Sequence, residues 1–287
     1  MSDEAIKEKK KLTKKSKILI IVLSIVGFLL IATVLGGVIA LNQYCKTKDY
    51  TVISTSDNVT LVAHRGMRSV APENTTASFT EAGKHGYWGA ECDVYRTKDG
   101  VWIISHDSHT YRMMDKSAFI EKKTYEELMD MNVDNGVNID KYEDLKICSL
   151  EEYLDICKKY NMTPVIELKG KNNTEYYSEI VELANQFEVN PVYISFHIEN
   201  LQTMRQLTQC KMYYLVQKIS EDDIQDAKSI ENCGIDFNGN KDKNFKSDII
   251  KKCQDAGSRK NNTFAGFHPC VVEWGGIWDQ AEGVCGG

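Results

Sequence analysis

The sequence predicts an α/β fold: a parallel-stranded barrel of the (β/α)8 type, with a small insertion after its second strand and a single transmembrane helix in front. Three observations predict it. Between about residues 59 and 257, short apolar runs rich in β-branched residues alternate with longer amphipathic stretches, the pattern of βαβ units and a parallel sheet. One domain of that length with that alternation favours a barrel over a doubly wound sheet. Near the N-terminus, 25 consecutive residues from Ile18 to Asn42 carry no charge.

That uncharged run reads ILIIVLSIVGFLLIATVLGGVIALN. As a helix it reaches about 37 Å at ~1.5 Å per residue, enough for a hydrocarbon core of about 30 Å with some tilt. Residues 1–17 hold seven lysines (Lys7, Lys9, Lys10, Lys11, Lys14, Lys15, Lys17) against Asp3, Glu4 and Glu8. Lysine excess marks the cytoplasmic flank, so the basic tail is expected inside, residues 18–42 across the membrane and the remainder outside. A cleaved signal peptide has an apolar region of about 7–15 residues and a small-x-small cleavage site. Here the run is longer and ends in Ala40-Leu41-Asn42-Gln43, which favours an uncleaved anchor. Residues 43–58 then form a juxtamembrane linker.

Composition narrows the function classes. Of 287 residues, 42% are hydrophobic and 26% charged, which excludes wholesale disorder. With 4 Pro and 19 Gly the chain is not collagen-like or low-complexity. Nine cysteines are scattered with no CxxC pair, against a zinc ribbon or a redox dithiol; most read as buried thiols. The N-terminal tail is +4 and the whole chain −6, so the 245 residues after Asn42 carry −10. A domain so acidic does not bind nucleic acid by bulk electrostatics. If it handles a phosphate ester, a bound cation supplies the positive charge.

The elements follow in order. Thr60–Ala63, Gly89–Tyr95 and Val101–Ser105 read as strands, the last two separated by Thr97-Lys98-Asp99-Gly100, a turn signal. Ser149-Leu150-Glu151-Glu152 opens a helix as a capping box, and Leu150, Leu154, Ile156 and Cys157 form its apolar face. Then come Pro164–Leu168 (strand), Glu175–Phe187 (helix), Val192–Ser195 (strand), Ile198–Leu207 (helix) and Met212–Val216 (strand). Glu221–Ile230 (helix), Ile235–Phe237 (strand) and Phe245–Ala256 (helix) complete the series. The acidic run Asp130–Asp144 has a calcium loop's composition without its spacing or final Glu, and reads as part of an exposed insertion.

Chemistry concentrates at the strand ends. The first strand runs into His64-Arg65-Gly66, followed by Pro72-Glu73-Asn74-Thr75; the second carries Glu91-Cys92-Asp93; then come Ser105-His106-Asp107 and Glu167-Leu168-Lys169. Residues two apart on a strand share a face, so Glu91 pairs with Asp93 and Glu167 with Lys169. Polar groups at strand C-termini converge on one mouth of a parallel barrel. Three carboxylates there suit a hard cation, Ca²⁺ or Mg²⁺. Two imidazoles suit acid and base work near neutral pH, while Arg65 and Lys169 suit an anionic oxygen. Together they describe a metal-assisted phosphodiester hydrolase. Asp99 and Asp107 read as turn residues, and His85, His109, His197 and His268 as structural.

In this order, HRG, PENT, ExD, HD and ExK resemble the glycerophosphodiester phosphodiesterase family from about Leu61 to Ala256. The segment from about 108 to 147 resembles the subdomain that family carries after its second strand. The resemblance implies a TIM barrel that hydrolyses glycerophosphodiesters to sn-glycerol 3-phosphate and an alcohol. Glu91, Asp93 and Glu167 would then ligate the divalent cation, and His64 and His106 would form the acid/base pair. Arg65 and Lys169 would hold the phosphate, with Glu73 and Asn74 shaping the substrate mouth. It also implies a further Trp-Thr-Val-like strand, a helix and a last strand. Ser258–Gly287 shows none of these beyond Cys270–Val272 and holds six of the glycines. Three explanations stand open: a frameshift, a truncation or a divergent closure. Beside the hydrolase reading stand a non-catalytic or vestigial membrane-anchored relative with an incomplete barrel, and another phospholipase-type phosphodiesterase. The sequence carries no signal for oligomeric state.

Overall fold

The computed structural model describes residues 14–44 and 61–237. The helix expected at Phe245–Ala256 and the divergent segment 258–287 lie outside the described residues, as do most of the basic tail and the linker. The chain divides into two units, 1–50 and 51–287.

In the first unit a single helix, α1 (Lys14–Tyr44), takes up the uncharged run. Its segment Leu19–Gly37 has a mean hydropathy of 2.9 and is long and apolar enough to cross a membrane. The large side chains between Leu19 and Leu35 are exposed around the helix. The Thr33 hydroxyl is satisfied within the helix, Oγ1 donating to Leu30 O at 2.8 Å and Leu29 O at 3.1 Å.

In the second unit β1 (Val62–His64), α2 (Thr76–Lys84), β2 (Gly89–Arg96) and β3 (Trp102–Ile104) come first. A short helix α3 (Tyr125–Met129) lies in the insertion, followed by α4 (Leu150–Tyr160), β4 (Thr163–Leu168) and α5 (Tyr177–Gln186). β5 (Val192–Ser195), α6 (Ile198–Leu207), β6 (Met212–Val216), α7 (Glu221–Ser229) and β7 (Cys233–Phe237) end the described chain. Six parallel strands lie side by side in the order β1-β2-β4-β5-β6-β7, with β3 antiparallel on the far end of β2. The order never reverses, so there is no doubly wound switch point; these are consecutive staves of a barrel wall. Strands that would close a barrel are not among the described residues.

Register places the chemistry. His64 stands opposite Glu91, and Asp93 opposite Glu167. Along β4, Val165 packs with Val62, Val192, Ile194 and Tyr213 on one face, while Ile166 and Leu168 join the larger core under the helices. The period of two therefore puts Glu167 on the Val165 face, two residues nearer the strand's C-terminal end.

The larger core joins the sheet to its helices. Tyr153, fully buried on α4, packs edge-to-face on Phe79 of α2 with centroids 4.8 Å apart. The expected capping box of α4 is present, Ser149 Oγ accepting from the Glu152 N–H. The apolar face turns slightly from the expected one: Tyr153 is buried where Ile156 is only partly so. The sequence reading missed α2 altogether; a box of Thr75 and Ser78 caps it. The run Asp130–Asp144 is exposed or half-buried except at Met131 and Val133, but the insertion it belongs to also holds apolar packing of its own. Met114, Ile120, Leu128, Met131 and Ile147 cluster with Ile103 into a second small core. Among the described cysteines, Cys92, Cys148, Cys157 and Cys233 are buried free thiols and Cys210 is half-buried.

Candidate active site

The site begins where β1 stops. After His64 the chain turns through two left-handed residues, Arg65 (φ 58°) and Gly66 (φ 72°). Gly66 is required there, since a Cβ would lie 2.5 Å from Ser78 Oγ. That same hydroxyl donates to Arg65 O at 3.0 Å, and Met67 N–H donates to Ser78 O at 2.9 Å, so the loop is fastened to the first turns of α2. A third left-handed residue, Asn74, donates its N–H to Arg65 O at 2.9 Å. The two expected motifs after β1 therefore form one bonded loop.

This loop holds the carboxylates of β2. The Arg65 N–H donates to Glu91 Oε2 at 2.9 Å, and Asn74 Nδ2 donates to Asp93 Oδ2 at 2.8 Å. From β4, Lys169 Nζ lies 3.0 Å from Glu167 Oε1 and 3.2 Å from Asp93 Oδ1. Glu91, Asp93 and Glu167 each bring a carboxylate oxygen within 4.8 Å of the others, and all three are buried. His64 Nε2 lies 3.9 Å from Glu91 Oε2.

The electrostatics show what such a cluster lacks. Burial and the neighbouring Asp93 and Glu167 push the Glu91 carboxyl well above its ordinary range. Burial and Asp93 carry Glu167 up to about 7. For Asp93, burial pushes upward but Lys169 and Arg65 outweigh it and hold the group low. Burial would lower Lys169, yet Asp93 and Glu167 hold it raised. Burial and Arg65 bring His64 down to about 3. Three crowded acids with the Lys169 ammonium between them and Arg65 Nε 3.6 Å from Asp93, a guanidinium shared with Glu73, are short of positive charge. Glu91 Oε1 and Asn74 Oδ1 are buried without a hydrogen-bond partner. An all-oxygen donor set with an orphaned carboxylate oxygen fits a hard divalent cation.

The second imidazole lies after β3. His106 Nδ1 sits 2.9 Å from Asp107 Oδ1, and Arg112 Nε donates to Asp107 Oδ2 at 2.7 Å. Asp107, expected as a turn residue, instead spends its carboxylate on His106 and Arg112. Asp99 does serve its turn, accepting from Thr97 Oγ1 at 2.6 Å and the Tyr125 N–H at 3.0 Å. Burial lowers His106, against the raising effect of Asp93. Glu73 gathers guanidiniums: Arg112 Nη2 at 2.6 Å, Arg65 Nη1 at 2.9 Å and Arg68 Nη1 at 3.7 Å. Burial raises Glu73, but Arg112 and Arg65 outweigh it and keep its carboxyl low.

Every site residue expected from the sequence thus lies in one cluster formed by the C-terminal ends of β1 and β4, the middle of β2 and the loops after β1 and β3. Sequence reasoning missed Arg112 and the role of Asp107. The available signal was that Arg112 is the sole arginine of the insertion, five residues beyond Asp107.

Comparison with known proteins agrees. Residues 64–261 match the model of the glycerophosphoryl diester phosphodiesterase family. Mouse glycerophosphodiester phosphodiesterase 1 is 32% identical over 165 residues, covering 55% of this chain and 49% of the mouse protein. A glycerophosphodiester phosphodiesterase of Caldanaerobacter subterraneus is 33% identical over 111 residues, covering 38% of this chain and 45% of its own. The chain spans about half the length of these curated relatives. Among solved structures, an Oleispira antarctica phosphodiesterase in complex with the product sn-glycerol-3-phosphate superposes with a TM-score of 0.58 at 27% identity, covering 62% of this chain and 74% of that one. A glycerophosphodiester phosphodiesterase of Agrobacterium tumefaciens shares the fold at a TM-score of 0.58 and 22% identity, covering 69% and 84%. The chain belongs to the glycerophosphoryl diester phosphodiesterase family.

Proposed function

We propose that this protein hydrolyses glycerophosphodiesters to sn-glycerol 3-phosphate and an alcohol with the help of a divalent cation, Ca²⁺ or Mg²⁺, at the outer surface of a membrane. The observation that carries the reading is the buried triad Glu91, Asp93 and Glu167, within 4.8 Å of one another, beside His64 and Lys169. Glu91, Asp93 and Glu167 hold the cation. When bound, it neutralises this acidic cluster, polarises the phosphate and lowers the pKa of the attacking oxygen.

The chain's own groups do the rest. Arg65 and Lys169 bind the anionic diester, with Glu73 fixing the Arg65 guanidinium and Asn74 fixing Asp93. His64 and His106 form the acid/base pair: one takes the proton of the attacking oxygen, the other protonates the leaving alkoxide. Burial and Arg65 keep His64 neutral at physiological pH. Location is supported by α1, which is long and apolar enough to span, and by the seven lysines in the tail before residue 18.

The test is release of glycerol 3-phosphate from glycerophosphocholine and glycerophosphoglycerol by the full chain, with Ca²⁺, Mg²⁺ or chelator, beside Glu91→Ala and His64→Ala. Cation-dependent release that vanishes in both variants supports the reading. No release from a folded protein that binds the cation contradicts it and favours a binding role.

A further inference from the structure

The insertion's single arginine reaches outside the insertion's own core. Arg112 closes a 3-10 turn, Thr110–Arg112, and its backbone is held in place: Asn135 Nδ2 donates to Arg112 O at 2.9 Å. From there its guanidinium spans two carboxylates, Asp107 Oδ2 through Nε at 2.7 Å and Glu73 Oε1 through Nη2 at 2.6 Å. Each carboxylate has another partner in the site. Asp107 Oδ1 meets His106 Nδ1 at 2.9 Å, and Glu73 Oε1 takes Arg65 Nη1 at 2.9 Å. A continuous bonded line therefore runs His106, Asp107, Arg112, Glu73, Arg65, joining the loop after β3 to the loop after β1.

The direction of the bonds defines what this line does. Arg112 donates only, so Asp107 is held as an acceptor. An accepting carboxylate at His106 Nδ1 requires the proton on that nitrogen and leaves Nε2 for proton exchange. Without Arg112, the Asp107 carboxylate keeps only His106 as a side-chain partner among the described residues, and both side chains can turn. A flexible ion pair on the surface would matter little; a planar fork meeting two carboxylates fixes geometry as well as charge.

We propose that Arg112 is a positioning residue: it holds His106 in its working tautomer through Asp107 and holds Arg65 through Glu73, so that the insertion itself completes the site. The proposal deepens the hydrolase reading and rests on it for its kinetic consequence.

The experiment uses the full chain in detergent, labelled with ¹⁵N-histidine, with His106→Gln to identify the His106 signals. In the wild type, His106 is expected as the Nδ1–H tautomer. Arg112→Met and Asp107→Asn are each expected to give a mixture of tautomers, and Arg112→Lys to restore the signal only in part, since a compact ammonium on a shorter stem does not reproduce the planar fork that meets both carboxylates here. In turnover, each variant is expected to lose about ten- to a hundredfold in kcat, the usual scale for a group that orients a functional one. Arg112→Met is expected to raise KM as well, through Arg65, whereas Asp107→Asn is not. In the Asp107→Asn background, adding Arg112→Met should cost little further kcat.

A variant Arg112→Met that melts earlier but keeps the His106 tautomer and kcat overturns the proposal and leaves Arg112 a fastener of the insertion. Should the wild type turn over no diester, the hydrolase reading fails, and the tautomer measurement still decides the link between Arg112 and His106. Arg112→Lys and Asp107→Asn serve if Arg112→Met does not fold.

Discussion

Asn74 donates its side-chain amide to Asp93 Oδ2 at 2.8 Å from a left-handed backbone position, φ 55°. Both facts follow from one residue type. Asparagine tolerates that conformation better than other non-glycine residues, and its amide meets one of the three clustered acids without adding a charge.

Two substitutions separate these contributions. Asn74→Gly keeps the backbone conformation and loses the hydrogen bond, worth about 1.5–3 kcal/mol to a charged acceptor. Asn74→Ala loses the bond and also strains the backbone by a further ~1–2 kcal/mol. Urea unfolding should therefore rank wild type above Asn74→Gly above Asn74→Ala. Equal losses in the two variants would show that the backbone conformation is not under strain.

The sheet depends on one phenol. Tyr153 is fully buried, donates its hydroxyl to Ala90 O at 2.6 Å and accepts from the Val165 N–H at 2.9 Å, joining β2 to β4 beneath the carboxylates. Tyr153→Phe keeps the ring and strips both backbone groups of a partner. It should cost about 1–3 kcal/mol in urea unfolding, and a neutral result would show that the strands pair without it.

Glu179 gives a pH signature. It takes Arg96 at 2.9 and 2.8 Å and Trp102 Nε1 at 2.8 Å. The Arg96 hydrogen bond is the main cause holding its carboxyl below the ordinary range, with Trp102 adding to it. A depressed acid contributes its stabilisation fully above the unfolded value of about 4.3 and loses it as pH falls through the lower folded value. Thermal melts should show Glu179→Gln less stable than wild type near pH 7, with the gap closing on acidification below about 4. A gap that stays constant down to acid pH would mean the ion pair carries none of the stability.

What the sequence made legible was whatever is written locally. The Ser149–Glu152 box, the β-branched run Val192–Ser195 and the stretches Ile198–Leu207 and Met212–Val216 match observed elements because caps and periods need no distant partner. The acidic triad was legible in part for the same reason, since a period of two puts Glu91 and Asp93 on one face of β2; the parallel register of β2 and β4 then brings Glu167 beside them. The missed features depend on contacts remote in sequence. Helix α2 buries little beyond Phe79 and Ala82, and packs so close to α4 that a Cβ on Gly83 would overlap the Tyr160 ring. The insertion's apolar residues, Met114, Ile120, Leu128 and Met131, follow neither strand nor helix period. Arg112 meets Glu73 across 39 residues of chain, a contact no local pattern announces.

The function proposed for this protein is hydrolysis of a glycerophosphodiester at the Glu91–Asp93–Glu167 cluster with a divalent cation. ³¹P NMR of glycerophosphocholine incubated with the full chain tests it most directly, since the product signal identifies which P–O bond breaks. Conversion to sn-glycerol 3-phosphate and choline is expected, requiring Ca²⁺ or Mg²⁺, stopping with chelator and absent in Glu91→Gln. Conversion to phosphocholine and glycerol, or turnover that persists in chelator, would contradict it.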